Sequence, residues 1–196
     1  MMNRQEAVSA LTEILDDAIV VTGLGNVALD LFVAAERPLN FYTSGAMGTA
    51  ISIAFGLAVA QPDRKVICLE GDGSLLMNLG CLATIGKYQP ANLTCLIFDN
   101  ELYQITGGQP THTGATTDLA AVARGCGVEQ AAAVSTHLEL RNELARTVDR
   151  SGPHIVVAKV DTQLANGFLP RKGILYKYRL MHALGTAPDT DTIVWS

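Results

Sequence analysis

Apolar positions along the chain fall into two patterns. Short unbroken runs bounded by turn residues occur at 18–22, 66–69, 93–98 and 154–160, and such runs predict strands buried on both faces. Between them apolar residues recur at helical period. Ala7, Leu11, Ile14 and Leu15 follow an Asn3/Glu6 capping-box spacing; 27–35 and 75–88 read as helices; Asp118 caps one reaching Ala123, and Ser135-Thr136 caps another over 138–148. Weaker strand signals lie at 40–44 and 129–134. The alternation predicts an α/β fold, a doubly wound, mostly parallel sheet with helices on both faces, over residues 1–161. Segment 48–60, apolar all round with small residues recurring, predicts a helix buried in a core or a subunit interface. Past Asp161 the pattern breaks, and 162–196 reads as a polar tail expected to dock on its own domain or on a partner.

The run at 66–69 feeds into Gly71-Asp72-Gly73-Ser74, and the run at 93–98 ends at Asp99-Asn100. If the two strands form a βαβ unit, Asp72 and Asn100 stand side by side on the carboxyl rim of the sheet, where ligands of such sheets bind. A carboxylate and a carboxamide suit Mg²⁺, which takes few protein oxygens and completes its shell with water and substrate phosphates. Gly71 and Gly73 read as positions free to take positive φ, and the N–H groups of Ser74 and Leu75 as the phosphate-binding start of a helix. A plain Asp-Gly turn accounts for the same four residues without any ligand. Gly23-Leu24-Gly25-Asn26-Val27-Ala28 lacks the third glycine of the dinucleotide fingerprint.

Composition narrows the function classes. With 196 residues, 48% hydrophobic, and a net charge of −5, the chain has enough apolar material for one core and no basic surface for nucleic acid. No stretch reads as a membrane span or a leader, so a cytoplasmic protein is expected. Cys68, Cys81, Cys95 and Cys126 are isolated in apolar segments and read as free thiols. The long polar loop 101–113, with glycines at 107 and 108, lies beside the metal positions and reads as a lid; His112 within it is a candidate proton relay.

Gly-Asp-Gly followed 28 positions after the Asp by Asn at the next strand end resembles the thiamine diphosphate-binding motif. The resemblance implies that Asp72, Asn100 and the Leu102 carbonyl hold Mg²⁺, which holds the cofactor's diphosphate beside Gly71, Gly73, Ser74 and Tyr103. Gly45-Ala46-Met47-Gly48 resembles the second mark of these decarboxylases and carboligases. It implies that Met47 bends the cofactor, and that the Gly45-Ala46-Met47 main chain binds the aminopyrimidine. The phrases Asn40-Phe41-Tyr42, Gly71-Asp72-Gly73-Ser74-Leu75-Leu76-Met77-Asn78-Leu79-Gly80 and Thr106-Gly107-Gly108-Gln109-Pro110-Thr111 are similar to those of sulfopyruvate decarboxylase β subunits and of the C-terminal half of phosphonopyruvate decarboxylase. Those relatives carry Ser-Arg-Glu where this chain has Ala28-Leu29-Asp30, which removes a possible partner for a sulfonate or phosphonate.

The resemblance thus implies decarboxylation of a small 2-oxo acid. It also implies a partner, because the glutamate that activates the cofactor belongs to a separate pyrimidine-binding domain for which this chain has no room. A hetero-oligomer with an α subunit follows. Two other readings stay open: a carboligase subunit of acetolactate-synthase type, and a non-catalytic module that binds a phosphate-bearing ligand.

Overall fold

The computed structural model describes residues 1–43, 45–170 and 172–187. Strands β1 (Ile19–Thr22), β2 (Asn40–Tyr42), β3 (Val66–Gly71), β4 (Leu93–Asp99), β7 (Ala131–Val134) and β8 (His154–Lys159) form one six-stranded sheet, while β5 (Leu102–Tyr103) and β6 (Gln109–Pro110) make a small antiparallel hairpin. The helices are α1 (Arg4–Leu11), α2 (Asn26–Ala34), α3 (Ala50–Ala60), α4 (Asp72–Leu76), α5 (Gly80–Tyr88), α6 (Leu119–Gly125), α7 (His137–Asp149) and α8 (Gly173–Ala183). The sheet order is β2-β1-β3-β4-β8-β7 with every pair parallel. Ser44, read as the end of the second strand, lies outside the described residues.

Burial follows from the strand sequences. β3 and β4 are buried along their length because their side chains alternate between two cores. Cys68 and Ile97 face the layer of α3, α5 and α6, while Ile67, Leu69 and Phe98 face that of α1, α2 and α7. The cysteines are free thiols. Caps fall where the polar residues put them: Asn3 accepts from the Glu6 N–H, Asp118 from the Ala121 N–H, and Thr136 forms a full capping box with Glu139.

Three expectations change. The crossover read as one helix is two, α4 and α5, broken where the Asn78 amide turns to the Gly48 carbonyl at 2.7 Å. α3 buries one face only: Ser52, Gly56, Val59 and Ala60 are exposed, since a helix apolar all round carries no signal for which side meets the sheet. The tail, expected only as a polar docking segment, contains a helix. Its helix α8 packs on the edge strand β2, with the Tyr176 ring tilted against that of Tyr42, centroids 4.9 Å apart, and Arg179 bonded to Glu36 and the Asn40 carbonyl; residues 188–196 lie outside the described set. Among the described residues no helix is long and apolar enough to cross a membrane.

Candidate active site

The chain leaves β1 toward β2 on one side and passes to β3 on the other, so the loops after β1 and β3 diverge and open a crevice at the carboxyl rim. A cavity of ≈ 330 Å³ occupies it. Its lining includes Gly45, Met47, Gly71, Asp72, Gly73, Ser74, Asn100, Leu102 and Tyr103, which sequence reasoning had grouped from three separate stretches. Ala46 is not among the lining residues; it is exposed, and its carbonyl accepts from Thr49 Oγ1.

β3 and β4 pair with Gly71 opposite Phe98, which sets Asp72 and Asp99-Asn100 at the same level of the rim. Gly71 caps α4 with φ −91°, so its extended backbone, not a positive φ, delivers Asp72. Gly73 is absent from the positive-φ glycines as well. Its lack of a side chain matters for contact, because a Cβ there would come within 2.6 Å of the Tyr103 ring. Tyr103 and the loop 101–113 therefore close directly over the Gly-Asp-Gly turn. Gly48 does need its conformation, φ +76°, and a Cβ would meet Asn78 at 2.7 Å. Its N–H donates to Ser74 Oγ at 2.7 Å, which ties the Met47 loop to α4.

The loop is less open than a structureless lid. It folds as the β5–β6 hairpin with flanking 3-10 turns, entered through Glu101 at φ +63°, a conformation that non-glycine residues take at a cost. Thr111 and Thr113 point inward: Thr111 Oγ1 donates to Asp72 Oδ2 at 2.6 Å, and Thr113 Oγ1 reaches Asp72 Oδ2 at 3.1 Å and Asp99 Oδ1 at 2.7 Å. Between them His112 is exposed and lines no part of the cavity. Closeness in sequence suggested a role for it, but His112 opens a short 3-10 turn, His112–Gly114, and its side chain stays in solvent while those of Thr111 and Thr113 are buried.

Charge is distributed unevenly. Asp72 is 2% exposed and forms no ion pair among the described residues. Burial pushes its carboxyl above the usual range; the Thr111 hydrogen bond opposes this and nearby Asp99 adds to it. A buried carboxylate short of a counter-charge fits a divalent cation. No cluster of three or more His, Cys, Asp or Glu exists among the described residues, so a cation here would take one carboxylate and neutral oxygens, with the rest from water and phosphate, as Mg²⁺ does. Asn100 is half-buried, its amide held by Gln104 Oε1 at 3.1 Å and its Oδ1 accepting from the Leu102 N–H at 3.1 Å.

Sequence reasoning missed several residues around the cavity. Arg4, in the first turn of α1, lines it from below, paired with Asp30. Asn26 and Gln104 line it and bond each other at 2.8 Å. Glu70 is 1% exposed beside the cavity, with Oε1 accepting from the Gly71 N–H and Oε2 unpartnered among the described residues. Only the polar residue at the end of an apolar run could have flagged Glu70; nothing local marks Arg4.

The family described as thiamine pyrophosphate enzyme, C-terminal TPP binding domain, matches residues 22–158. Sulfopyruvate decarboxylase subunit beta of Methanococcus maripaludis is 38% identical over 186 residues, spanning 93% of this chain and 98% of that one. Phosphonopyruvate decarboxylase of Streptomyces viridochromogenes is 40% identical over 146 residues, 74% of this chain and 36% of that protein. The X-ray structure of a Mycobacterium smegmatis protein described as thiamin diphosphate-dependent superposes with TM-score 0.69 at 23% identity, over 83% of this chain and 32% of that one, a likeness of fold. With the motif residues gathered on one rim and the family matched across most of the sheet, the chain belongs to the thiamine pyrophosphate enzymes and carries their C-terminal TPP-binding domain.

Proposed function

We propose that the chain is the β subunit of a thiamine diphosphate- and Mg²⁺-dependent 2-oxo-acid decarboxylase, in which a separate α subunit supplies the pyrimidine-binding domain and its activating glutamate. The observation that carries this is Asp72, a buried carboxylate with no ion-pair partner among the described residues, in the cavity that Asn100 and Met47 also line. Asp72, the Asn100 amide oxygen and the Leu102 carbonyl would hold Mg²⁺. The backbone of Gly73 and Ser74, at the start of α4, would meet the diphosphate. Met47 would set the cofactor's bend from a loop that Ser74 and Asn78 fasten in place. When bound, thiamine diphosphate supplies a thiazolium that takes up the electron pair left by CO₂.

The need for a partner has support in the lining itself. No glutamate lines the cavity among the described residues: Glu70 is turned to the main chain, and Glu101 pairs with Lys159 at 2.9 Å. The M. maripaludis relative, matched over nearly its whole length, is itself named a subunit. Small 2-oxo acids bearing a sulfonate or phosphonate are the first substrates to test.

The test is CO₂ release from sulfopyruvate, phosphonopyruvate and pyruvate, with Mg²⁺ and thiamine diphosphate, by the chain alone and co-purified with a candidate α subunit. Turnover is expected only in the two-chain sample and lost on Asp72→Ala. Full turnover by the single chain would refute the split site.

A further inference from the structure

Arg4 is placed by the chain's first residues. Met2 bridges to Val160 just past β8, and the Arg4 N–H reaches Asp161 Oδ1, so α1 starts at the carboxyl rim of the sheet. The Arg4 side chain is 2% exposed, and its Nε donates to Asp30 Oδ2 at 2.7 Å. Its terminal nitrogens Nη1 and Nη2 are buried with no hydrogen-bond partner among the described residues. A guanidinium keeps its charge in a protein and has four of its five donors on those two atoms, so leaving both dry is costly. Arg4 also lines the cavity of Asp72 and Asn100. Asp30 neutralises part of the charge and fixes the plane of the fork, while the terminal donors remain unspent.

The position of the pair identifies what those donors meet. Asp30 is one turn past Asn26 on α2, hence on the same helix face. Asn26 bonds Gln104, which bonds Asn100. Arg4 therefore underlies the Asn26–Gln104–Asn100 row, the metal end of the cavity, on the face that carries α1 and α2. Gly45 and Met47, which mark the aminopyrimidine end, arrive on the loop leading to α3, on the other face.

We propose that Arg4 is a protein-borne cation for the cofactor's diphosphate, presenting Nη1 and Nη2 to phosphoryl oxygens that Mg²⁺ leaves free, with Asp30 as its positioning residue. This rests on the thiamine diphosphate reading of the site. Planar bidentate donors match phosphoryl oxygens better than an ammonium does. The chain would then neutralise the diphosphate from two sides, by Mg²⁺ at Asp72 and Asn100 and by Arg4 beneath them.

The test measures affinity of the chain, co-purified with its α subunit, for thiamine diphosphate and for thiamine, both with Mg²⁺, by titration calorimetry. The variant is the double replacement Arg4→Met with Asp30→Leu, which removes the pair as a unit and leaves no buried charge unmatched. Affinity for thiamine diphosphate is expected to fall about ten- to hundredfold, with that for thiamine unchanged. Equal affinity for thiamine diphosphate in wild type and folded variant would overturn the role of Arg4 alone. A wild-type two-chain complex that binds no thiamine diphosphate brings down the cofactor reading and this one with it. A second measurement needs no variant: in [¹⁵N]arginine-labelled wild type, inorganic pyrophosphate with Mg²⁺ should move the Arg4 side-chain resonances. Their response to 3-sulfopropionate instead of pyrophosphate would assign Arg4 to a substrate sulfonate and overturn the proposal.

Discussion

Asp72 and Asp99 stand at the ends of neighbouring strands, 2% and 1% exposed, and Thr113 hydrogen-bonds both. Their company differs. Asp99 has Lys159 directly across on β8, with Nζ at 2.8 Å from Oδ2. Burial alone would lower the Lys159 pKa, but its hydrogen bonds to Asp99 and Glu101 outweigh that and raise it. Asp72 has two threonine hydroxyls and, among the described residues, no cationic side chain, and its carboxyl is pushed up. One carboxylate is finished by the fold; the other is left incomplete at the mouth of a cavity. That incompleteness is what the proposed cation at Asp72 would relieve.

The largest effect should come from removing the incomplete carboxylate. Asp72→Asn is nearly isosteric and keeps the threonine contacts, but withdraws the negative charge. Mg²⁺-dependent affinity for thiamine diphosphate should drop by more than about a hundredfold, beyond the cost of losing a mere supporting contact. In chelator the same variant should melt no lower than wild type at neutral pH, because it removes a charge the fold does not compensate. A variant that binds normally, or that unfolds without metal, would erase the distinction between the two aspartates.

The reverse change comes next. Lys159→Met strips Asp99 of its partner and leaves a buried carboxylate beside Asp72. Breaking a buried pair costs about 3–5 kcal/mol, and because Lys159 is 29% exposed the expected loss is about 2–3 kcal/mol, read by urea unfolding in metal-free buffer. The contrast predicts a separation of effects: a substitution at Asp72 spares stability and weakens binding, one at Lys159 costs stability first.

Much of this arrangement was legible in the chain. The β3 and β4 runs are apolar enough to specify buried strands, and once paired they place Asp72 and Asn100 without further information. What was not legible depends on contacts with no periodic signature. Arg4 meets Asp30 across 26 positions through a bridge of Met2 to Val160. His112 and its threonine neighbours differ only in which side of a short 3-10 turn they take. The α8 segment reads as polar because its apolar contacts, Tyr176 and Leu180, are few and meet a sheet edge rather than a face.

A third buried carboxyl sharpens the comparison with the smallest effect. Glu70 precedes the Gly-Asp-Gly turn and is pushed up from its ordinary 4.5 by burial, against the hydrogen bond that its Oε1 accepts from the Gly71 N–H. Like Asp72 it has no ion-pair partner among the described residues; unlike Asp72 it does not line the cavity. A carboxyl raised in the folded state is favoured there as the acid, so its contribution is complete below pH 4.5 and is lost as pH rises toward its folded value. Glu70→Gln mimics the acid at every pH. In chelator, melting temperatures of wild type and variant should lie closest below pH 4.5, and the variant should gain by a few degrees as pH rises to neutrality. Its affinity for Mg²⁺ and thiamine diphosphate should stay near wild type, because Glu70 supports the turn without facing the ligand. A gap that closes with rising pH would mean that Glu70 is ionised in the fold and paired, leaving Asp72 as the rim's single uncompensated carboxyl.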